Sequence, residues 1–398
     1  MENGLQSVGI AVIGMACRFP GASNPAEFWR ILRGGEEVTT PPPAHRSQLD
    51  PLGSSTGLDQ QREGYVSNVS DFDAHFFGIS PREARSMDPR QRFALELTWE
   101  LLEASLMAPD RMHGDHAAVY IGAMNDDYAF LSLRSRGADL DHHSFVGLNR
   151  GLIANRISFA FGMHGPSFTV DCGQSSSLVA VHLACESLRS GESSLAVAGG
   201  IQLNLAAETA RLEAKFGALS GSGHTYAFDE RADGYVRGEG GGLVLLKPLD
   251  AAIADGDRIR AVIRGSVVGH AGRNAAGLTA PSVAGQAAVL RRAYARASLD
   301  SAQVDYVELH GAGTHLGDPI EATALGQVFA GRGARPLHVG SVKSNIGHLG
   351  AAAGIAGLLK TVLAMENAEI PASLNYSHGN PEVDLEKLGL RVNRALSP

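Results

Sequence analysis

Val170-Asp171-Cys172-Gly173-Gln174-Ser175-Ser176-Ser177-Leu178 has the form of a strand end, a tight turn and a helix start. The residues just before it, 167–170, are β-prone. Gly173 supplies the turn, and the apolar spacing over 175–188 reads as a helix. Such an elbow presents one side chain at its apex, close to backbone N–H groups and the positive end of a helix dipole. That seat usually holds a nucleophile, and Gln174 is not one. The stretch therefore reads as an anion-stabilising site that forms no covalent acyl intermediate. On these residues alone a plainer reading stays open: a helix N-terminus in which Ser175, Ser176 and Ser177 cap backbone donors.

Working outward, strands alternate with helices. Upstream lie a strand over 8–14, a polar Pro-rich loop over 39–65, a helix over 89–104 and a strand over 119–122. Downstream the elbow helix is followed by a strand over 195–203. A second half begins near Asp250. It reads as strands over 259–268, 304–310 and 337–341, alternating with helices over 285–297, 319–329 and 354–366. This order predicts an α/β architecture with buried sheets. Glycines cluster in turn-like runs, 238–242 among them, and no short-period repeat is present.

With 398 residues, 44% of them hydrophobic, the chain can bury a large core in one big domain or two closely packed halves. The net charge of −8 and the scattered basic residues leave no nucleic-acid footprint. No apolar run is long enough to span a bilayer. The N-terminus lacks the basic and apolar regions of a signal peptide. The three cysteines, Cys17, Cys172 and Cys185, give neither a disulfide framework nor zinc spacing, which fits a reducing, cytoplasmic setting. Cys185 reads as core. Cys172 is expected in the strand leg of the elbow, its thiol away from the place where residue 174 points.

Two further stretches look chemical. In Glu308-Leu309-His310-Gly311-Ala312-Gly313-Thr314 a histidine ends an apolar strand and enters a Gly-rich turn, where α/β proteins place ligands. In Val342-Lys343-Ser344-Asn345-Ile346-Gly347-His348-Leu349-Gly350, Lys343 and His348 lie between a strand and a buried helix, among small residues that allow close backbone approach. Taken singly, each of these residues also has a structural reading.

Taken together and in order, the three sites resemble the ketosynthase domain of modular polyketide synthases, in the thiolase-like superfamily. Supporting runs extend across the chain: residues 14–21, 76–84, 87–92 and 154–158. In condensing members the elbow reads Asp-Thr-Ala-Cys-Ser-Ser-Ser. Here Cys172, Gly173 and Gln174 stand for Thr-Ala-Cys. The glutamine form is similar to one subfamily, the decarboxylating Gln-type ketosynthase of loading modules, and residues 233–242 resemble that subfamily too.

The resemblance implies a thiolase-like fold in which two pseudo-symmetric halves, residues 1–249 and 250–398, form an αβαβα sandwich. It implies a malonyl- or alkylmalonyl unit on the phosphopantetheine of acyl carrier protein, decarboxylated to a starter acyl group without condensation. Gln174, His310, His348 and Lys343 would be catalytic. Both histidines would donate to the enolate oxygen, and Lys343, with Glu321 as its candidate partner, would hold the His loop. Thr314, Asn345 and Gly173 would contact substrate. No metal and no tightly bound cofactor is implied. The implied partners are acyl carrier protein, an adjacent acyltransferase domain and a second copy in a homodimer, with no nucleic acid and no membrane.

Two departures stand out. Ala312 replaces the family's usual Thr, and Pro398 falls short of the Gly-Phe-Gly-type turns and closing strands expected after it. Two rivals compete with the decarboxylase reading. One is a non-catalytic chain-length-factor-like partner subunit, which carries Gln at the elbow but usually lacks the His set. The other is a condensing ketosynthase with Cys changed to Gln, which would keep Ala where Gly173 stands.

Overall fold

The computed structural model describes residues 9–47, 62–108, 114, 116–136, 140–274, 277–332 and 335–398. The first strand, β1 (Ile10–Arg18), is followed by helix α1 (Pro25–Gly34) and helix α2 (Pro89–Ala104). Then come β2 (Ala117–Gly122), α3 (Leu152–Phe161), β3 (Ser167–Val170), the elbow helix α4 (Ser176–Ser190) and β4 (Leu195–Gln202). Helix α5 (Ala207–Phe216) and β5 (Gly240–Pro248) complete the first part, and β6 (Ala261–Ile263) opens the second. After β6 come α6 (Val283–Ala297), β7 (Tyr306–Glu308), α7 (Gly317–Phe329), β8 (Leu337–Gly340), α8 (Ala353–Asn367) and β9 (Leu390–Val392).

A six-stranded sheet has the order β3-β2-β4-β5-β1-β6, and a three-stranded sheet has the order β7-β8-β9. β2 runs parallel to β3 and β4, whereas β5 is antiparallel to β4 and to β1. The smaller sheet is parallel throughout. Alternating side chains of β1 serve opposite faces, as strand geometry requires. Ile10 and Val12 join α1, α4 and α8 in one core cluster. Ala11 and Ile13 join α2 and α3 in another. A third cluster packs α6 and α7 against the smaller sheet through Leu290, Leu325, Phe329, Leu337 and Val339. Since α8 touches β4, β5 and β7 as well as α4, it lies between the sheets. The layers are therefore helix, sheet, helix, sheet, helix.

Three expectations shift. The 238–242 run, read as a turn, opens β5, a fully buried central strand as far as Leu246. Its glycines permit close packing: a side chain at Gly241 would sit 3.0 Å from Phe93 and Ile201. The 259–268 strand shortens to β6 and pairs with β1 (Val12 opposite Ala261), so it extends the first sheet. The 8–14 strand runs on to Arg18, and Val8 lies outside the described residues, as does much of the 39–65 loop.

The elbow helix sits unusually close to its sheet. A Cβ at Gly122 would fall 2.5 Å from Ser176 backbone, and one at Gly200 would fall 2.6 Å from Ser177 Cβ. Those two bare strand positions let the N-terminus of α4 rest directly on β2 and β4, which fixes where the elbow points.

Candidate active site

The elbow forms as the sequence predicts. β3 ends at Val170, α4 starts at Ser176, and Gly173 turns the chain with φ +61°. A Cβ there would meet nothing within 4 Å, so the need for glycine is conformational and not steric. Its N–H donates to Asp171 Oδ1 at 3.0 Å. Ser176 Oγ accepts the Cys172 N–H at 2.9 Å, and Ser175 Oγ donates to the Cys172 carbonyl at 2.9 Å. Ser177 Oγ instead accepts the Ile355 N–H at 3.0 Å, tying the elbow helix to α8. The serines therefore do serve the backbone, and the apex residue is left exposed to a cavity.

That cavity has a volume of about 910 Å³ and is lined by Cys172, Gly173, Gln174, His310 and Lys343, among others. Residues far apart in sequence meet there, from the segments that follow β3 of the larger sheet and β7 and β8 of the smaller one. Cys172 is exposed within the same cavity, not withdrawn into a strand leg. Cys185 is buried in the core, as expected, and burial pushes its thiol up to about 12.

His348 is held from three sides. Its N–H donates to the Val236 carbonyl at 2.7 Å, and its carbonyl accepts the Gly238 N–H at 2.9 Å. The Gly350 N–H donates to Nδ1 at 3.0 Å. Because Nδ1 accepts, the proton of the neutral ring sits on Nε2. Nε2–H then donates to Gln174 Oε1 across 3.1 Å. Burial, Lys343 and His310 hold the His348 pKa well below 6.5, and a second ring proton would also oppose the Gly350 N–H.

The His310 ring lies edge-to-face on His348, with centroids 5.6 Å apart at 76°. It opens onto the cavity, while the surrounding walls and the Lys343 charge lower its pKa from the usual value. Both imidazoles are thus neutral N–H donors near pH 7. Lys343 lies in a short helical turn, Lys343–Ile346, and its Nζ donates to the His310 carbonyl at 2.6 Å. Glu321 accepts the His310 N–H at 2.7 Å and the Gly311 N–H at 2.8 Å. So Glu321 grips the backbone of the first His loop and acts on Lys343 only through its field. Burial lowers the Lys343 pKa, and the carboxylates Glu308, Glu321 and Asp318 resist that shift.

Gly173 and Lys343 line the cavity, but Thr314 and Asn345 are not among the lining residues. Thr314 Oγ1 accepts the Gly317 N–H at 3.1 Å, capping α7. Asn345 is fully buried and its amide donates to the Glu36 carbonyl at 3.1 Å.

Two residues, one acidic and one aromatic, belong to the site without having been singled out. Glu308 lines the cavity, accepts the Val342 N–H at 2.6 Å and lies 2.7 Å from the wholly buried Lys360 ammonium. Tyr235 packs on His348 with centroids 4.7 Å apart and the rings tilted by 49°. Its place within the resembling 233–242 run was the available signal, but nothing local to that run gave a reason to expect an aromatic ring against the histidine. Among the described residues, no group of three or more His, Cys, Asp or Glu is placed to hold a metal ion, and no helix is long and apolar enough to cross a membrane.

The chain is similar to known proteins over nearly its whole length. Residues 8–252 match the beta-ketoacyl synthase N-terminal domain and residues 260–377 match the C-terminal domain. Polyketide synthase GfsA of Streptomyces halstedii is 52% identical over 394 residues, 98% of this chain and 5% of that protein. The highly reducing polyketide synthase ausV of Aspergillus calidoustus is 44% identical over 395 residues, 97% of this chain and 16% of that protein. This chain thus spans only a small part of the length of these relatives. The oxazolomycin ketosynthase domain of Streptomyces albus superposes with a TM-score of 0.91 at 37% identity, covering 98% of this chain and 68% of that one. The module 6 ketosynthase of the Bacillus subtilis bacillaene synthase gives 0.90 at 35% identity, covering 98% and 66%. With its elbow, its paired histidine loops and its five layers, the chain belongs to the beta-ketoacyl synthase family and has the thiolase-like ketosynthase fold.

Proposed function

We propose that this chain decarboxylates a malonyl or alkylmalonyl thioester carried on the phosphopantetheine of acyl carrier protein, and so makes a starter acyl unit for polyketide assembly without condensation. The observation that carries this reading is the contact between Gln174 Oε1 and His348 Nε2. A carbonyl oxygen on a neutral imidazole N–H imitates the oxygen of a thioester enolate. The seat of the nucleophile holds an amide, and the donor opposite it is intact.

In the proposed reaction the bond from Cα to the carboxylate breaks and CO₂ leaves. The electron pair moves to the thioester oxygen, giving an enolate. His310 and His348 donate to that oxygen, the substrate oxygen taking the place of Gln174 Oε1 on His348. One such donor typically contributes about 2.7–4 kcal/mol of transition-state stabilisation. Water then protonates Cα and the acyl thioester leaves on its carrier. Lys343 and Glu321 fix the His310 loop from its two backbone ends. No thiolate stands at position 174, so no acyl chain is loaded and no carbon–carbon bond forms.

The halves divide, in this reading, at residue 250: residues 1–249 bring Gln174, and 250–398 bring His310, Lys343 and His348. The partners are acyl carrier protein, an acyltransferase domain and a second copy of the chain, and the setting is the cytoplasm. The exposed Phe168 on the edge strand β3 and the exposed Phe159 on the neighbouring α3 support a homodimer. Incubation with malonyl- and methylmalonyl-carrier protein, read by intact mass, tests the function. Loss of one CO₂ per carrier is expected. Absence of turnover on both carriers overturns the proposal in favour of a non-catalytic subunit.

A further inference from the structure

Glu308 ends β7 and stands two residues before His310. Its Oε1 accepts the N–H of Val342, the residue before Lys343, at 2.6 Å. Lys343 Nζ donates in turn to the His310 carbonyl at 2.6 Å. These contacts close a ring. It runs from Glu308 along the chain to His310, across to Lys343, and back through Val342 to Glu308. Two further bonds tie the same segments together: the Leu309 N–H donates to the Gly340 carbonyl at 2.9 Å, and Ser341 Oγ donates to the Gly311 carbonyl at 2.9 Å.

The other carboxylate oxygen of Glu308 meets a second set of groups. Lys360 Nζ lies 2.7 Å from Oε2, and the Tyr306 hydroxyl donates to the same oxygen. Lys360 is wholly buried on α8. Bare positions on two elements leave room for the set. A Cβ at Gly357 would fall 2.9 Å from Glu308 Cγ, and one at Gly340 would fall 2.9 Å from the Tyr306 oxygen. A buried ion pair is a poor way to stabilise a core, since apolar side chains of the same volume often serve as well or better. What this pair does provide is an anion at Glu308, and an anion holds a backbone N–H more firmly than a neutral acceptor does. Among the carboxylates whose field acts on Lys343, Glu308 has the largest effect, ahead of Glu321 and Asp318.

We infer that Glu308 is a positioning residue: held as an anion by Lys360 and Tyr306, it fixes the Lys343 turn against the His310 loop. The inference rests on the roles given to Lys343 and His310 above. It adds a third support for that loop, anchored on α8, to those from Lys343 and Glu321.

The test uses the full chain with its five lysines labelled with ¹⁵N, alone and with malonyl-carrier protein. The Lys343 ammonium resonance is identified by its loss in Lys343→Met. Glu308→Gln keeps the shape and an acceptor for Val342 but removes the charge, and it leaves the Lys360 ammonium buried without a counter-ion. Its Tm should therefore fall. Adding Lys360→Met makes the pair neutral at similar volume and should bring Tm back toward the parent. In both variants the Lys343 resonance should shift and its protons should exchange faster. The kcat for decarboxylation should fall about tenfold, the difference between a charged and a neutral acceptor, while KM stays within about threefold. A merely structural pair requires the double variant to match the parent in Tm, kcat and Lys343 resonance together, and that result overturns the inference. Tyr306→Phe leaves both charges in place and should shift the same resonance by less, so the role of Glu308 stays measurable if neither neutralised variant folds. An unmoved Lys343 resonance in every folded variant also overturns the inference. If the parent chain releases no CO₂ the proposed function fails, and the resonance still decides the role of Glu308.

Discussion

Gln174 Oε1 accepts from His348 Nε2 at 3.1 Å, so the residue at the nucleophile's seat is bonded to the donor that the substrate oxygen would use. The amide is therefore a built part of the site and not a filler of empty space. Truncating it removes the partner of a buried imidazole N–H. Once the substrate oxygen has taken the place of Oε1 on His348, the amide N–H can donate to the substrate, and Gln174→Ala should lower kcat for decarboxylation of malonyl-carrier protein by about 10- to 100-fold, the range for a hydrogen bond to a developing charge. A variant as fast as the parent would show that the amide has no part in the chemistry.

The two histidines should behave as a pair of neutral donors. His310→Ala or His348→Ala should each lower kcat by about 10²–10³, as for removal of one oxyanion donor. Because the rings touch and Lys343 acts on both, the double variant should lose less than the product of the single losses. Single-turnover release of CO₂, measured on the three variants, checks both statements.

Their pH dependence has a definite sign. Burial and the Lys343 charge lower both pKa values, so neither ring gains a proton as pH falls through 6.5. The kcat should stay flat from about pH 8 down to about 5.5, where an unperturbed histidine would show half-titration near 6.5. For stability the sign is a loss toward acid: the unfolded chain takes up protons below about pH 6.5 that the folded rings refuse. Glu239 and Asp318 act oppositely. Burial raises both to about 7, so the folded state keeps protons that the unfolded carboxyls release as pH rises through the carboxylate range. An activity limb near pH 6.5 that disappears in a His310 or His348 variant would contradict the neutral-donor role.

Much of this arrangement was legible in the sequence, for identifiable reasons. The helix from Pro89 to Ala104 has Asp88 as a side-chain N-cap and proline in its first turn, two local signals that do not depend on tertiary context. The elbow declared itself through Gly173, whose positive φ is a local property. β5 was not legible, because Gly240, Gly241 and Gly242 look like a turn and are glycine to admit Phe19, Phe93 and Ile355 from other elements. Glu321 was expected to pair with Lys343, but two backbone N–H groups took its carboxylate. Nothing local in the sequence could report that competition. Tyr235 belongs to the same class: its importance lies in which ring it packs against.

Gly122 and Gly173 should separate steric from conformational need. A methyl at Gly122 would lie 2.5 Å from the backbone of Ser176 and would lift α4 off the sheet. A methyl at Gly173 meets nothing but must hold φ +61°, which costs about 1–2 kcal/mol. Gly122→Ala should thus lower Tm more than Gly173→Ala. Calorimetry of the two variants checks the order, and a reversed order would place the elbow helix wrongly.

Position 174 offers the sharpest test of what the site has given up. Gln174→Cys puts a thiol at the N-terminus of α4, opposite His348 and beside the cavity. Helix ends and neighbouring donors favour the thiolate, which is the nucleophilic form. The variant should take up an acyl group from an acyl-carrier protein, seen as a covalent mass increase at residue 174, while the parent should show none. Cys172 serves as the internal control: it lies exposed in the same cavity, so acylation there in the parent chain would mean that a thiol two residues from the apex can serve as nucleophile. If the parent stays unmodified and the variant is acylated, the seat is competent and the glutamine alone withholds the covalent step. If neither is acylated, the site lacks more of a condensing enzyme than its nucleophile, and the decarboxylase reading must then stand on CO₂ release alone.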